Sequence, residues 1–296
     1  MCHLILTRLF RGRAVSVLEA SRVLLTAISI GHSLSDQATV HFTLATYIYT
    51  FPMVVNLSEF IPPMPNSPES FTEFHNVWLI RLKDFVDQLL LAAAPDHNPQ
   101  YATEEQQRRL IDNVMSHYHY YYQEKSRVAR EQPYLFFAPP WMTSLGTSLL
   151  LWVGGFKPAT IFNLIATSVN DLTAEQERKL EMVRKQTVEA ERELENEMAI
   201  IHESVAAPPL MGLVRQIGME KVGRQRSAVD QAMEVLNHSM RTVLETADKL
   251  RGRTMRKTVE IMSSIQTIKF LAAAGEMQLR IRRLGLERDQ HRASSS

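Results

Sequence analysis

Histidine is the residue type best suited to bind a metal or to transfer protons, and the chain has 10 of them. None stands in the H-E-x-x-H spacing that places two zinc ligands on one helix face. His117 and His119 lie two residues apart, so a helix would carry them on different faces. We interpret both as partly exposed histidines in a tyrosine-rich helix, and we predict no metal site.

The sequence also lacks the motifs that activate a nucleophile or hold a phosphate. It contains no G-x-S-x-G, no G-x-x-x-x-G-K-[ST] and no G-x-G-x-x-G. Gly154-Gly155 is too short to hold a phosphate, and it follows the C-terminal end of a predicted helix, where the dipole repels anions. The carboxylates of residues 175–203 alternate with Lys and Arg, which is typical of a solvated face. We therefore predict a non-enzymatic protein without a cofactor.

The composition is that of a folded protein with balanced charge. Hydrophobic residues make up 45% of the chain, enough for a buried core, and 33 Lys and Arg face 32 Asp and Glu. This balance gives no indication of a strongly basic nucleic-acid binder. The single cysteine, Cys2, excludes an internal disulfide. There is no run of 18 uninterrupted apolar residues in the early apolar stretch, so we predict no membrane span.

The N-terminal part is predicted to lie outside the folded domain. Five prolines interrupt it: Pro52, Pro62, Pro63, Pro65 and Pro68. Residues 1–52 carry four arginines and two acids, which suits an organelle transit peptide, and a dispensable extension preceding a natural start at Met53 is an equally good alternative. We predict a poorly ordered extension and linker over 1–68, a domain over 69–288 and a disordered tail over 289–296.

The domain itself has the periodicity of helices. From Phe71 onward, apolar residues recur every three or four positions. Long stripes over 180–205 and 229–250 are natural antiparallel partners, and a last helix is predicted over about 254–274. Two capping boxes predict helix starts: Thr103 with Gln106, and Thr173 with Gln176. We predict an all-α fold, a single multi-helix bundle with long antiparallel helices.

The segment 141–153 is apolar almost all round, so we expect it in the middle of the domain. Trp152 follows Trp141 by about three helical turns, which places both on one face and predicts that both are buried. Gly154-Gly155 permits a tight reversal, and Pro158 suits the start of the returning helix. Two interpretations remain: a core clasp for the whole domain, or the wall of a ligand or partner cavity.

Several motifs together resemble the Delay-of-Germination domain family of plants. That family has a Y-Y-x-x-K helix, a P-x-W turn and a W-[IML]-G-G-x-[RK]-P-S segment. The matching segments here are 117–125, which contains Tyr121, Tyr122 and Lys125; Pro139-Pro140-Trp141; Leu151–Pro158; Asp171–Gln176; Ala247–Arg251; Ser263–Gln266; and Phe270–Ala274. The resemblance covers roughly residues 70 to 288.

The resemblance implies a regulatory protein of the nucleus and cytoplasm, linked to abscisic-acid control of seed dormancy and to transcription. The same domain forms the C-terminal part of TGA basic-zipper factors, but no basic region precedes the stripe at 229–250, so we expect DNA binding only weakly or indirectly. The implied partners are type 2C phosphatases or TGA-like factors, and a homodimer is a further option. The alternatives are a transcription-factor-like protein with sequence-specific DNA binding and a scaffold in pollen-aperture formation.

The chain departs from the family at two functional places. A haem-associated histidine pair near the C-terminus is matched by Gln278 and Arg282, neither of which is a plausible axial iron ligand, so we expect no haem by that route. The phosphatase-contacting segment is matched only at Glu73 and Trp78. The predicted partner or motif residues are Glu73, Trp78, Tyr121, Tyr122, Lys125, Trp141, Trp152, Gly154, Gly155 and Pro158.

Overall fold

The structure of the chain is a computed structural model that describes residues 68–94, 103–206 and 224–295. These residues form seven α-helices and one 3-10 turn: α1 Pro68–Ala93, α2 Glu104–Ala129, the turn Pro133–Phe136, α3 Ser144–Leu150, α4 Thr160–Ser168, α5 Ala174–Ala206, α6 Arg224–Ile261 and α7 Ser264–Ser295. Within these ranges, extended pairing is limited to one bridge between Trp152 and Gly155. The predicted all-α fold is confirmed.

Capping boxes begin three of the helices. At α2, the Gln106 amide donates to Thr103 Oγ1 over 3.3 Å, and the Thr103 amide donates to Gln106 Oε1 over 3.1 Å. The same reciprocal pairs join Thr173 with Gln176 and Ser263 with Gln266. Each box satisfies two main-chain N–H groups that a helix start leaves without a partner. Both predicted boxes are therefore present, and the third marks the start of α7.

The long helices pack in antiparallel pairs. Gln176 Nε2 near the start of α5 donates to Ile261 O at the end of α6 over 3.0 Å. The Thr187 and Thr254 hydroxyls meet at 3.1 Å in the buried middle of this pair. Further along, apolar side chains of the two helices form one core cluster: Leu194, Met198, Ile201, Val243, Ala247 and Leu250. The predicted pairing of the two long helices is confirmed.

The expected break between residues 250 and 254 is wrong. Helix α6 continues through this stretch to Ile261, and α7 begins only at Ser264. Arg251, Thr254 and Thr258 are each no more than 1% exposed, so the buried face continues where the apolar stripe stops. Because hydroxyls and one guanidinium replace aliphatic side chains here, the apolar pattern ended before the helix did.

The segment 141–153 does not lie in the middle of the domain, which corrects a second prediction. Only Ser144–Leu150 is helical, and Leu149 is 61% exposed on its outer face. The centre is occupied instead by buried side chains of the longer helices around α4 and α7. Trp141 is buried, as predicted, but Trp152 lies beyond the helix in a turn and is only half-buried.

Helix α7 also replaces the disordered tail that was expected from residue 289. It extends to Ser295, and Asp289 accepts hydrogen bonds from the Ser144 main-chain N–H over 3.1 Å and from its hydroxyl. These bonds join the last turns of α7 to the start of α3. Of the predicted extension and linker over 1–68, residues 1–67 lie outside the described residues, and Pro68 begins α1. No helix among those described is long and apolar enough to cross a membrane.

Candidate functional site

Arg251 on α6 holds the turn that follows α3. Its side chain is 1% exposed, and its Nε donates to Phe156 O over 2.7 Å. Its Nη2 donates to the carbonyl oxygens of Trp152 over 2.6 Å and Val153 over 2.9 Å. Buried main-chain carbonyls are costly when unpaired, and the planar guanidinium can serve several acceptors at once. Arg251 therefore fixes the conformation of residues 152–156.

The turn itself is a tight reversal. The Trp152 amide donates to Gly155 O over 2.6 Å, and the Gly155 amide donates back to Trp152 O over 3.0 Å. Val153 and Gly154 between them have φ values of 39° and 71°, the left-handed values that this kind of two-residue turn requires. A Cβ on Gly154 would overlap Leu244 Cδ1. The reversal predicted at Gly154-Gly155 is present, and it depends on the missing side chain at Gly154.

A buried ionic cluster joins this turn to α2. Asp248 Oδ1 lies 2.8 Å from Lys125 Nζ and 2.5 Å from Arg251 Nη1. The Lys125 side chain is fully buried, and the loss of solvation lowers its pKa to about 8, although Asp248 opposes this shift. Two cations thus share one carboxylate. The other nitrogens of Arg251 donate their hydrogen bonds to the carbonyl oxygens of the turn. We call Lys125, Asp248 and Arg251 the ionic clasp.

Helix α5 holds the other side of the same turn. Glu195 Oε1 accepts hydrogen bonds from Trp152 Nε1 over 2.9 Å and from Lys157 Nζ over 2.7 Å. Glu191 is 2% exposed and accepts from the Ala159 amide over 2.6 Å, just before α4 begins. Burial raises the pKa of Glu191. The turn is therefore anchored from α5 as well as from α6.

Aromatic side chains of α1 and α2 form a second cluster. Trp78 Nε1 donates to His117 O over 3.0 Å, His117 Nε2 lies 3.0 Å from Trp78 O, and the two rings stack at 4.8 Å. Tyr121 packs against Trp78 at 5.1 Å, and Trp141 packs against Phe71 at 4.6 Å. Burial lowers the pKa of His117 to about 4. This histidine is half-buried among aromatic rings, as its sequence context indicated.

A cavity of about 160 Å³, partly open to solvent, lies between the aromatic cluster and the turn. Trp78, Tyr121 and Trp141 line it on one side, and Gly154 and Gly155 on the other. Gln278 and Arg282 reach it from α7. The hairpin thus contacts buried side chains and also lines a cavity, and its role as the wall of a ligand or partner site stays a prediction.

The family of this chain follows from comparison with known proteins. A family model described as seed dormancy control, DOG1, matches residues 87–167. Protein ZW2 of Arabidopsis thaliana is 42% identical over 228 residues, which cover 76% of this chain and 100% of that protein. The chain belongs to the DOG1 seed dormancy control family.

Two further proteins are similar to this chain. RESPONSE TO ABA AND SALT 1 of Arabidopsis thaliana is 40% identical over 235 residues, covering 78% of this chain and 100% of that protein. Transcription factor TGA2.3 of Oryza sativa subsp. japonica is 24% identical over 162 residues, covering 55% of this chain and 49% of that factor. Membership of the DOG1 family supports a regulatory role in plants.

Haem does not fit the residues that stand at the family's haem-associated positions. Tyr118 donates to Gln278 Oε1 over 3.5 Å, while Arg282 donates to Trp141 O over 3.0 Å and to Asn76 Oδ1 over 2.9 Å. An amide and a guanidinium are not axial ligands for iron. The cavity beside them is also smaller than the roughly 300 Å³ at which sites for drug-sized ligands begin. Among the described residues, no group of three or more His, Cys, Asp or Glu side chains could hold a metal ion.

The structure separates the two residues that match the family's phosphatase-contacting segment. Glu73 is exposed on α1, whereas Trp78 is 3% exposed inside the aromatic cluster. The other predicted residues fall into two groups. Tyr122, Lys125, Gly154 and Gly155 lie at the clasp and its turn, with Pro158 buried just beyond them, while Tyr121 and Trp141 join Trp78 in the aromatic cluster. Trp152 faces α5.

Five residues of the site were missed as site residues in the sequence. Asp248, Arg251 and Lys157 were interpreted only as parts of matching motifs, and Glu191 and Glu195 were assigned to a solvated face. Arg251 lies four residues after Ala247 and seven before Thr258, both of which are fully buried. The signal in the sequence was that Arg251 falls on the same helix face as these residues, which indicates that it is buried. Such a residue is paired when it is fully buried, and the i, i+3 spacing of Asp248 and Arg251 indicates the pair.

Proposed function

We propose that this DOG1-family protein is a non-enzymatic regulator that acts through protein partners in abscisic-acid signalling in seeds. In this proposal the protein affects transcription through those partners, and it acts in the nucleus and cytoplasm. The name of RESPONSE TO ABA AND SALT 1 supports the signalling context, and the partial likeness to TGA2.3 supports the transcriptional one.

One observation carries the proposal: the polar residues of the family motifs are engaged in holding the fold. Lys125 and Arg251 bind Asp248, and Arg251 also binds the carbonyls of the turn. A catalytic site needs polar groups directed at a substrate rather than at the main chain. The motifs therefore specify a rigid scaffold, and function falls to the surfaces that this scaffold presents.

The exposed face of α1 is the surface that we assign to a type 2C phosphatase. Glu73, Val77 and Ile80 follow each other at helical spacing, and Val77 and Ile80 are 44% and 67% exposed. Neighbouring exposed aliphatic side chains supply apolar area to a protein contact, and an adjacent acidic residue sets its orientation. Trp78 on the opposite face supports this helix from within, because its side chain is buried.

The test is an affinity purification from maturing seed with three forms of the chain. Ile80→Asp places a charge on the α1 face, and Ile200→Asp makes the same change on α5 at nearly equal exposure, 65% against 67%. The wild type and Ile200→Asp should retain a type 2C phosphatase, and Ile80→Asp should lose it. Equal retention by all three forms would remove α1 as the contact. Specific gel shifts of genomic fragments by the purified chain would favour the alternative of a DNA-binding factor.

A further inference from the structure

Arg282 brings a positive charge to the cavity wall without a carboxylate partner. Its two hydrogen bonds go to neutral oxygens, those of Trp141 and Asn76. No Asp or Glu of the described segments forms an ion pair with it, and burial lowers its pKa with no acidic neighbour to oppose this. A half-buried cation at the edge of an apolar space gains from a bound anion, because a charge-assisted hydrogen bond is stronger than a neutral one.

His75 marks the same end of the cavity. It is 7% exposed, lines the cavity, and has a buried Nδ1 that finds no hydrogen-bond partner within the described part of the chain. Burial and the charge of Arg282 lower the pKa of His75 to about 3, so the ring is neutral at physiological pH. An unpaired buried nitrogen is uncommon in a finished core. The polar end of the cavity is therefore incomplete as it stands.

The rest of the wall sets the size and shape of what can bind. Aromatic, thioether and aliphatic side chains provide most of it, among them Tyr118, Phe270, Met142, Met255 and Met277. The volume is about 160 Å³, and an apolar protein cavity of about 150 Å³ accepts one benzene molecule. A single ring fills this space, whereas a tetrapyrrole or an extended long-chain lipid exceeds it. Methionine side chains adapt their shape to such a ligand.

We propose that the cavity binds a compact monocarboxylic acid built on one ring, with the ring among the aromatic side chains and the carboxylate on Arg282. This site does not depend on the identity of the protein partner, since the side chains of α1 that line the cavity are not those of its exposed face. A ligand there contacts the hairpin and both clusters, so its binding would stabilise the fold that presents the partner surface.

The experiment titrates the full chain with benzoate and with benzyl alcohol, its uncharged counterpart of similar size. The readout is the methyl NMR signals of the methionines, because Met142, Met255 and Met277 line the cavity while Met182 and Met233 are exposed internal references. Benzoate should shift the three cavity signals in a saturable way and leave the two references unchanged.

Two variants and one control test separately the charge of Arg282 and the volume of the cavity. Arg282→Gln should weaken benzoate binding by about tenfold or more and leave benzyl alcohol binding within about twofold, as loss of one charge-assisted bond predicts. Arg283→Gln, the same change at the next and exposed position, should alter neither. Ala274→Leu fills the cavity from α7 and should abolish binding of both probes while the fold remains intact.

Three results would overturn the proposal. Benzoate that leaves the cavity methionines unchanged would show that no such acid binds. Equal affinity of the wild type and Arg282→Gln for benzoate would show that the carboxylate does not use the guanidinium. Binding of haemin or of a long-chain fatty acid in preference to benzoate, with affinity that rises with chain length, would show that the cavity opens to larger ligands.

Discussion

Replacing Arg251 by methionine tests the ionic clasp. The change removes the guanidinium and leaves the carbonyls of Trp152, Val153 and Phe156 without their donor, while the pair of Lys125 and Asp248 persists. Loss of one partner from a buried charged network costs about 3–5 kcal/mol. A domain of this size shifts its melting temperature by roughly 2–4 °C per kcal/mol, so we expect a fall of about 6–20 °C.

The measurement is urea unfolding followed by far-UV circular dichroism and tryptophan fluorescence. Arg253→Met is the matched control, since Arg253 is exposed two positions further along α6, and its free energy of unfolding should stay within about 0.5 kcal/mol of the wild type. Arg251→Lys should recover little of the loss, because an ammonium lacks the planar fork that reaches three carbonyls. A loss below about 1 kcal/mol for Arg251→Met would refute the clasp.

Three other perturbations follow from the same structure. Gly154→Ala should lower the free energy of unfolding by about 2 kcal/mol or more, because φ is positive and the new Cβ overlaps Leu244. Gly252→Ala should be neutral or stabilising by up to about 1 kcal/mol, since its Cβ meets nothing within 4 Å. Urea unfolding of both variants measures the contrast, and equal effects would count against the turn. The folded-state pKa of His75 is about 3, below its ordinary value of 6.5, so between these values the unfolded chain binds a proton that the folded chain does not. The free energy of unfolding should therefore be highest above pH 6.5 and fall as the pH falls toward about 3, by up to about 1.4 kcal/mol per pH unit. His75→Leu should flatten this slope between about pH 6.5 and 5. A chain that begins at Met53 should express and melt cooperatively, with the same helical content per domain residue; aggregation, or a large fall in melting temperature, would show that residues 1–52 are part of the core.

Local signals predicted the helices well because their causes are local. The box of Thr103 with Gln106 and the box of Thr173 with Gln176 each place a side chain on a main-chain donor three residues away, and both stand where the sequence indicated. The helical spacing of apolar residues likewise depends only on the helix itself. The prediction failed at residues 250–254, where the buried face of α6 changes from aliphatic to polar side chains without ending.

The clasp and the cavity depend on tertiary contacts that one sequence does not reveal. An arginine beside an apolar stripe usually extends its charged end into water, so the register of Arg251 with the buried face of α6 was only a weak signal without its partners. Its partners are the carbonyls of a turn some hundred residues earlier in the chain. Trp152 was expected inside because the apolar run was read as one helix, yet the helix stops at Leu150 and the turn directs the indole toward Glu195. The cavity arises from how six helices and the turn pack, which no spacing encodes.

Direct binding to a purified type 2C phosphatase and to a TGA factor, measured by calorimetry alongside gel shifts of genomic fragments, separates regulation through partners from direct reading of DNA. We expect saturable binding to at least one of the two proteins and no sequence-specific shift of DNA by this chain alone. Absence of binding to both proteins, together with a sequence-specific shift that survives moderate salt, would contradict a regulator that works through protein partners.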